Sequence, residues 1–219
     1  MLDFIERGDG AAEPRLAVLW LHGLGADGYD FEPIVAELGL PGVRYVFPHA
    51  PVRPVTINGG LPMRAWFDIF DFRPDAPQDE AGIRESAAAV RGLVDREIAR
   101  GVPSRRIVLA GFSQGGAIAL HSGLREARPL GGIMALSAFL PLATSLGAEK
   151  QAANATTPIL MAHGEADPVV PVEIALLGRR ALEAEGFSVD WRTYPIAHAV
   201  CADEVRDIRR WLEAAAERA

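Results

Sequence analysis

Short apolar runs alternate with longer amphipathic stretches along this chain, and that alternation restricts the folds open to it more than any other feature. The runs at residues 16–21, 43–47, 107–111, 132–136 and 159–162 are mostly continuous in apolar character. Such runs suit strands covered on both faces, hence a parallel sheet between helical layers. Residues 188–194 alternate more and include charged Asp190 and Arg192, which places that strand near a sheet edge. Between the runs lie helical patterns. Ile83, Ala87, Val90, Val94 and Ile98 recur at spacings of three and four, and Gly101 follows as a stop. Val172, Ala175, Leu176, Arg179 and Leu182 mark a second helix closed by Gly186. Val205, Ile208, Trp211, Leu212 and Ala215 give a third its apolar stripe.

The expectation is an α/β protein of three layers, a mostly parallel central sheet flanked by helices on both faces. Its 219 residues, 49% hydrophobic, suit one domain spanning 1–219. The Pro- and Gly-rich stretch 48–79 is long for a structureless connection, which marks it as a functional loop or a partly folded excursion beside a site. A formal charge of −7 disfavours nucleic acid or an anionic membrane surface as partner. Cys201 is the only cysteine, so neither an internal disulfide nor a cysteine-based zinc site is available. Met1-Leu2-Asp3-Phe4-Ile5-Glu6-Arg7 lacks a basic segment followed by an apolar stretch. No early apolar run approaches the roughly 20 residues of a spanning helix. A cytoplasmic protein without stable membrane insertion is expected.

Gly111-Phe112-Ser113-Gln114-Gly115 has the G-x-S-x-G form, with a strand pattern before it and a helix pattern of small residues after it. A strand turning directly into a helix exposes the serine hydroxyl on a strained tip, the nucleophile elbow of the α/β-hydrolase fold. Ser137 lacks this glycine frame and reads as a pocket-wall residue. A serine nucleophile needs a base, and in this fold the partners follow in the order serine, acid, histidine. His22 and His49 precede Ser113. His121 lies on the same helix, pointing away from its tip, and His163 comes before any convincing acid. His198, in a loop between the last strand and the last helix, satisfies the order. Asp167, just after the 159–162 strand and before Pro168, is the expected acid, with Glu165 as its competitor. The loop His22-Gly23-Leu24-Gly25 follows the first strand; its expected roles are oxyanion donation by the backbone N–H of Leu24, alongside that of Gln114, with His22 holding the loop. The glycine pattern lacks the spacing of a dinucleotide site, and no metal-ligand cluster is visible, so neither metal nor cofactor is expected.

With these pieces in place, the sequence resembles the carboxylesterase/acyl-protein thioesterase family of α/β-hydrolases. The resemblance runs through His22-Gly23-Leu24-Gly25, Val55-Thr56-Ile57-Asn58-Gly59-Gly60, Met63 with Ala65-Trp66-Phe67-Asp68-Ile69, and Glu80-Ala81-Gly82-Ile83. It continues through the serine motif, Gly164 with Asp167-Pro168-Val169-Val170-Pro171, and His198 with Val200-Cys201. It implies Ser113, Asp167 and His198 as the triad and Leu24 and Gln114 as oxyanion donors. It also implies an acyl pocket to which 48–79 contributes, with Trp66, Met63, Phe139 and Leu140 binding substrate. The implied activity is hydrolysis of short- to medium-chain carboxylic esters through an acyl-serine, or of acyl-protein thioesters or lysophospholipids by the same residues. A non-catalytic binding module on the same fold is the remote alternative. Relatives of this type often dimerise, so a homodimer is the implied partner state. Ala138 and Phe139 stand where relatives usually place Gly and Tyr, a departure that bears on pocket shape. Cys201, three residues after His198, reads as a small buried hydrophobe.

Overall fold

The computed structural model describes residues 2–8, 10, 13–71, 73 and 76–218; Met1 and, within the irregular stretch, Phe72, Pro74 and Asp75 lie outside the described residues. In chain order the elements are β1 (Phe4–Arg7), β2 (Leu16–Leu21), α1 (Ile34–Leu38), β3 (Val43–Pro48), β4 (Val52–Val55), β5 (Leu61–Arg64), α2 (Glu80–Ala99), β6 (Ile107–Phe112), α3 (Gln114–Leu124), β7 (Gly132–Leu136), α4 (Leu146–Glu149), β8 (Ile159–Gly164), α5 (Val172–Ala184), β9 (Val189–Tyr194) and α6 (Ala202–Arg218). Seven strands form one sheet in the order β1-β3-β2-β6-β7-β8-β9. All its pairs are parallel except β1 with β3. The expected edge position of the last strand matches that of β9.

The period of two in a strand divides β2 between two cores. Leu16, Val18 and Trp20 pack with Ile34 and Leu38 of α1 and with Ile208, Trp211 and Leu212 of α6. Ala17, Leu19 and Leu21 point the other way, onto Ile83, Val90 and Leu93 of α2 and Ala117 and Ile118 of α3. Towards β8 that second layer continues with Leu120 and Leu124 of α3, Ile159 and Met161 of the sheet, and Leu182 of α5. The sheet is therefore covered on both faces. Every residue of α3 is buried, which accounts for its small and apolar composition.

Three short strands were not anticipated. β1 extends the sheet, with Phe4 opposite Pro48 and Arg7 opposite Tyr45. It is tied to α2 by Glu6, whose carboxylate accepts hydrogen bonds from Arg100 at 2.7 Å and Arg96 at 3.0 Å. β4 and β5 pair antiparallel as a separate hairpin inside the stretch read as irregular. The stripe expected on α5 also shifts. Ala175, Gly178 and Leu182 are its buried residues, whereas Leu176 and Arg179 are only partly covered. The reason is the close seating of Leu140, because a Cβ on Gly178 would stand 3.0 Å from the Leu140 Cβ. Cys201 is partly buried against the α6-side core. Among the described residues no helix is long and apolar enough to cross a membrane.

Candidate active site

β6 lies between β2 and β7, and its last residues carry the serine motif to the carboxyl end of the sheet. Ser113 has φ 54° and ψ −120°, a conformation that costs a non-glycine residue roughly 1–3 kcal/mol. Its N–H donates to the Leu136 carbonyl at 2.8 Å, and α3 begins at the next residue. The glycines are there for close approach. A Cβ at Gly111 would collide with the backbone of Gly115, and one at Gly115 with the backbone of Leu21. A Cβ at Gly116 would lie 2.7 Å from that of Ala138. Ala138 thus packs against α3 and lines neither of the two cavities described below. Ser137, expected in a pocket wall, is instead fully buried at φ 48° and is absent from the lining of either cavity.

The loops after β8 and β9 are joined main chain to main chain: Glu165 N–H donates to Tyr194 O at 2.8 Å and Ala166 N–H to Ile196 O at 3.0 Å. This brings Asp167 and His198 together. The Nδ1–H of His198 faces Asp167 Oδ2 at 2.6 Å. The other carboxylate oxygen accepts from the N–H groups of Val169 at 2.8 Å and Val170 at 2.9 Å, which fixes the carboxylate plane. With Nδ1 engaged, Nε2 is left as the proton acceptor. Glu165, the competing acid, is exposed and accepts from the Thr193 hydroxyl. His163 stands 3.5 Å from Asp167, but its Nε2–H donates to the Val170 carbonyl at 2.8 Å and burial lowers its pKa. It therefore stays neutral and leaves the carboxylate charge to His198.

The His198 ring packs on Phe112, the residue before the serine, with centroids 4.7 Å apart. Ser113, His198, Leu24 and Gln114 line one cavity of about 230 Å³. Among the described residues no hydrogen bond joins the Ser113 hydroxyl to the imidazole; such bonds commonly tighten only when substrate arrives. The Gln114 N–H belongs to the first residue of α3, and first-turn N–H groups have no intrahelical acceptor. The arrangement offers a hydroxyl, an oriented imidazole and backbone donors around one space, which is the equipment of nucleophilic acyl transfer.

A buried polar network ties the loop after β2 to the start of α3. His22 Nε2 accepts from the Ala50 N–H at 3.0 Å, so its proton sits on Nδ1, which donates to the Gly23 carbonyl at 2.7 Å. Burial pushes the His22 pKa down to about 4, which keeps this tautomer neutral. The Trp66 indole N–H donates to the His22 carbonyl at 2.9 Å. The Trp66 backbone N–H in turn donates to Gln114 Oε1 at 2.8 Å, and Gln114 Nε2 donates to the Phe67 carbonyl at 2.7 Å. Trp66 is therefore fully buried as a brace between the loop after β2 and the elbow. It does not reach substrate space, contrary to the implication of the resemblance.

A larger cavity of about 460 Å³ adjoins the first and shares Ile69, Phe139 and Val170 with it. Phe67, Phe70, Leu142, Ile174 and Leu177 add apolar surface. Of the four residues implied for substrate, Phe139 lines both spaces and Leu140 the larger one. Met63 lines neither: its sulfur accepts from the Asn58 amide at 3.2 Å and faces Gly25. Ile69, Phe70 and Leu177 were missed. Single apolar side chains on a helix or loop carry no signal of their own until the fold gathers them around a mouth. Among the described residues no group of three His, Cys, Asp or Glu side chains is placed to hold a metal.

The chain is similar along nearly its whole length to known ester and thioester hydrolases. The family model described as phospholipase/carboxylesterase matches residues 4–216. An acyl-protein thioesterase 1 from Neurospora crassa is 40% identical over 92% of this chain and 87% of its own length. A probable carboxylesterase from Oryza sativa subsp. japonica is 38% identical over 93% of this chain and 79% of its own length. The crystal structure of Zea mays acyl-protein thioesterase 2 superposes with a TM-score of 0.89 at 33% identity, covering 99% of this chain and 100% of that one.

Proposed function

The chain belongs to the phospholipase/carboxylesterase family, and from that premise we propose that it is a serine carboxylesterase acting on short- to medium-chain acyl esters. In this reading Ser113 Oγ attacks the ester carbonyl carbon while His198 Nε2 takes its proton. The N–H groups of Leu24 and Gln114 hold the charge that develops on the carbonyl oxygen. The carbonyl–oxygen bond then breaks, the imidazolium returns its proton to the leaving alcohol, and an acyl-serine remains. Water, deprotonated by the same imidazole, attacks the acyl-serine, and the acid leaves with Ser113 restored. Asp167 orients the ring throughout and stabilises its charge.

The observation that carries the chain-length reading is the mainly apolar cavity of about 460 Å³ adjoining the one that Ser113 and His198 line. Its size lies within the range of roughly 300–1,000 Å³ typical of small-ligand sites. A second reading, thioester hydrolysis on acylated proteins, draws support from the relatives that carry that name. It also draws support from the exposure of Phe70 and Leu177 at the cavity, which gives a longer chain an apolar path outward.

A panel of p-nitrophenyl esters from acetyl to palmitoyl, run beside one palmitoyl thioester, tests the choice. The carboxylesterase reading expects kcat/KM to peak at medium chain length. A maximum at palmitoyl, with the thioester turned over faster than its oxygen ester, replaces it by the second reading.

A further inference from the structure

Away from the serine, a smaller cavity of about 130 Å³ lies between α2 and α3 over β6, lined by Arg84, Arg91, His121, Ser122, Arg125 and Glu126 among others. Two of its side chains are more than nine-tenths buried and end in atoms with no hydrogen-bond partner, Nδ1 of His121 and Oγ of Ser122. Orphaned polar atoms in a protein interior point to something that satisfies them, because each is costly to leave unpaired. We propose that this cavity binds a small protonated oxyanion of the phosphate class.

The chemistry of the lining selects for that class. His121 already hydrogen-bonds the Pro141 carbonyl. A ring that donates from Nε2 while neutral presents Nδ1 as an acceptor. Burial, reinforced by the guanidinium groups of Arg125 and Arg84, pushes the His121 pKa down to about 4 and keeps it in that form. A ligand that donates a hydrogen bond to Nδ1, accepts one from the Ser122 hydroxyl and carries negative charge toward the guanidinium groups meets all of these without charging the ring. Monohydrogen phosphate does all three. Sulfate carries no proton at neutral pH and reaches Nδ1 only at the cost of charging a buried ring, so it should bind more weakly.

The local charge also suits an anion in a protein that is acidic overall. Arg125 and Arg84 share Glu149, and Arg84 also meets Glu80. The carboxylate of Glu126, which faces the cavity, is occupied by Arg128 at 2.7 Å. Among the described residues Arg91 is exposed and has no ion-pair partner, so its charge is available to a ligand. A volume of about 130 Å³ exceeds the roughly 30 Å³ share of a single water several-fold, leaving room for a five-atom anion.

Isothermal titration of the whole protein with sodium phosphate at neutral pH, against sodium sulfate and sodium chloride at matched ionic strength, tests the site. Saturable one-site binding of phosphate is expected, with sulfate weaker. Arg91→Gln should weaken phosphate about tenfold. Ser122→Ala, which removes an unpartnered hydroxyl and breaks no bond of the fold, should weaken it several-fold. Three results overturn the proposal: no saturable heat with phosphate up to about 10 mM, equal affinity for sulfate, or phosphate affinity unchanged in either variant. Water is then the occupant. None of these outcomes depends on the esterase reading, since the titration contains no acyl substrate.

Discussion

Replacing Gln114 by Leu separates what its side chain does from what its backbone does. The N–H proposed as oxyanion donor survives the change, as does the volume of the side chain. Two hydrogen bonds do not. The Trp66 N–H loses its acceptor at 2.8 Å and the Phe67 carbonyl its donor at 2.7 Å. Both partners lie in a buried part of the molecule, where Gln114 itself is 2% exposed and Trp66 fully covered. An unpaired buried group costs about 1–3 kcal/mol, so the pair costs about 2–6 kcal/mol out of a total stability of roughly 5–15 kcal/mol. The segment 65–67 also carries the indole that holds the His22 carbonyl, so its loosening reaches the loop bearing Leu24. A displacement of about 1 Å at a reacting centre is worth up to about 10²-fold in rate. Urea unfolding followed by tryptophan fluorescence, together with kcat and KM on a p-nitrophenyl ester, reads both effects. The expectation is a stability loss in that range and a fall in kcat of about tenfold or more, with KM little changed. Stability within about 0.5 kcal/mol of wild type and unaltered kcat would refute the idea that this amide ties the two donor segments together.

Ser113→Ala should abolish ester turnover and labelling by a fluorophosphonate probe while leaving the melting temperature within a few degrees of wild type; retained turnover removes the serine from the mechanism. Asp167→Asn keeps an oxygen for the Val169 and Val170 N–H groups but offers His198 Nδ1 the wrong partner, so kcat should fall by about 10³–10⁴-fold with the fold intact. Equal activity in this variant means the histidine is oriented by something else. Glu204 is buried at the start of α6, and burial outweighs the pull of the Cys201 backbone N–H, pushing its pKa from 4.5 up to about 7. A carboxyl raised on folding favours the folded state only while protonated, an advantage that is complete below pH 4.5 and lost as pH rises through about 7. Glu204→Gln should therefore gain stability over wild type as pH is raised from 5 to 8, by up to about 3 kcal/mol; denaturant melts at the two pH values that show the same difference would contradict the burial argument.

The main sheet was legible because its strands are covered on both faces, and a strand in that position has to be apolar nearly throughout. The strands that escaped notice lack that constraint. β1 is four residues long, ends in Glu6-Arg7 and is a strand only because β3 offers it an edge. The hairpin is harder still. Pro54 and Pro62 sit opposite each other in its register, and proline inside a run argues against a strand. A two-stranded ribbon has nothing but edges, so neither ring interrupts a ladder that continues beyond it. The positions of α2, α5 and α6 were legible by period, but the face of α5 was not, because its buried side is set by Leu140 seating on Gly178, across the chain from it.

Residues at the candidate site divide along the same line. Ser113, Asp167 and His198 announce themselves through chemistry that is local in sequence: a glycine-framed turn, an acid after a strand, a histidine in a loop. What holds them is not local. The choice of Asp167 over Glu165 rests in the structure on two backbone N–H groups that close onto one carboxylate oxygen, not on the proline that suggested it. Trp66 shows the limit most clearly. Its sequence neighbours mark it as important, and an aromatic beside an expected pocket invites the reading of a substrate contact. The indole N–H instead meets a carbonyl 44 residues earlier, and the backbone N–H meets an amide 48 residues later. The N–H of a buried tryptophan usually finds a polar partner, and which partner Trp66 finds is decided by how distant segments converge. A residue can therefore be essential to a catalytic site by holding its parts in register without ever facing the substrate. In the proposed reading a strained serine and two backbone donors work only if the loops around them are prevented from relaxing, which is the part that the buried His22, Trp66 and Gln114 side chains take.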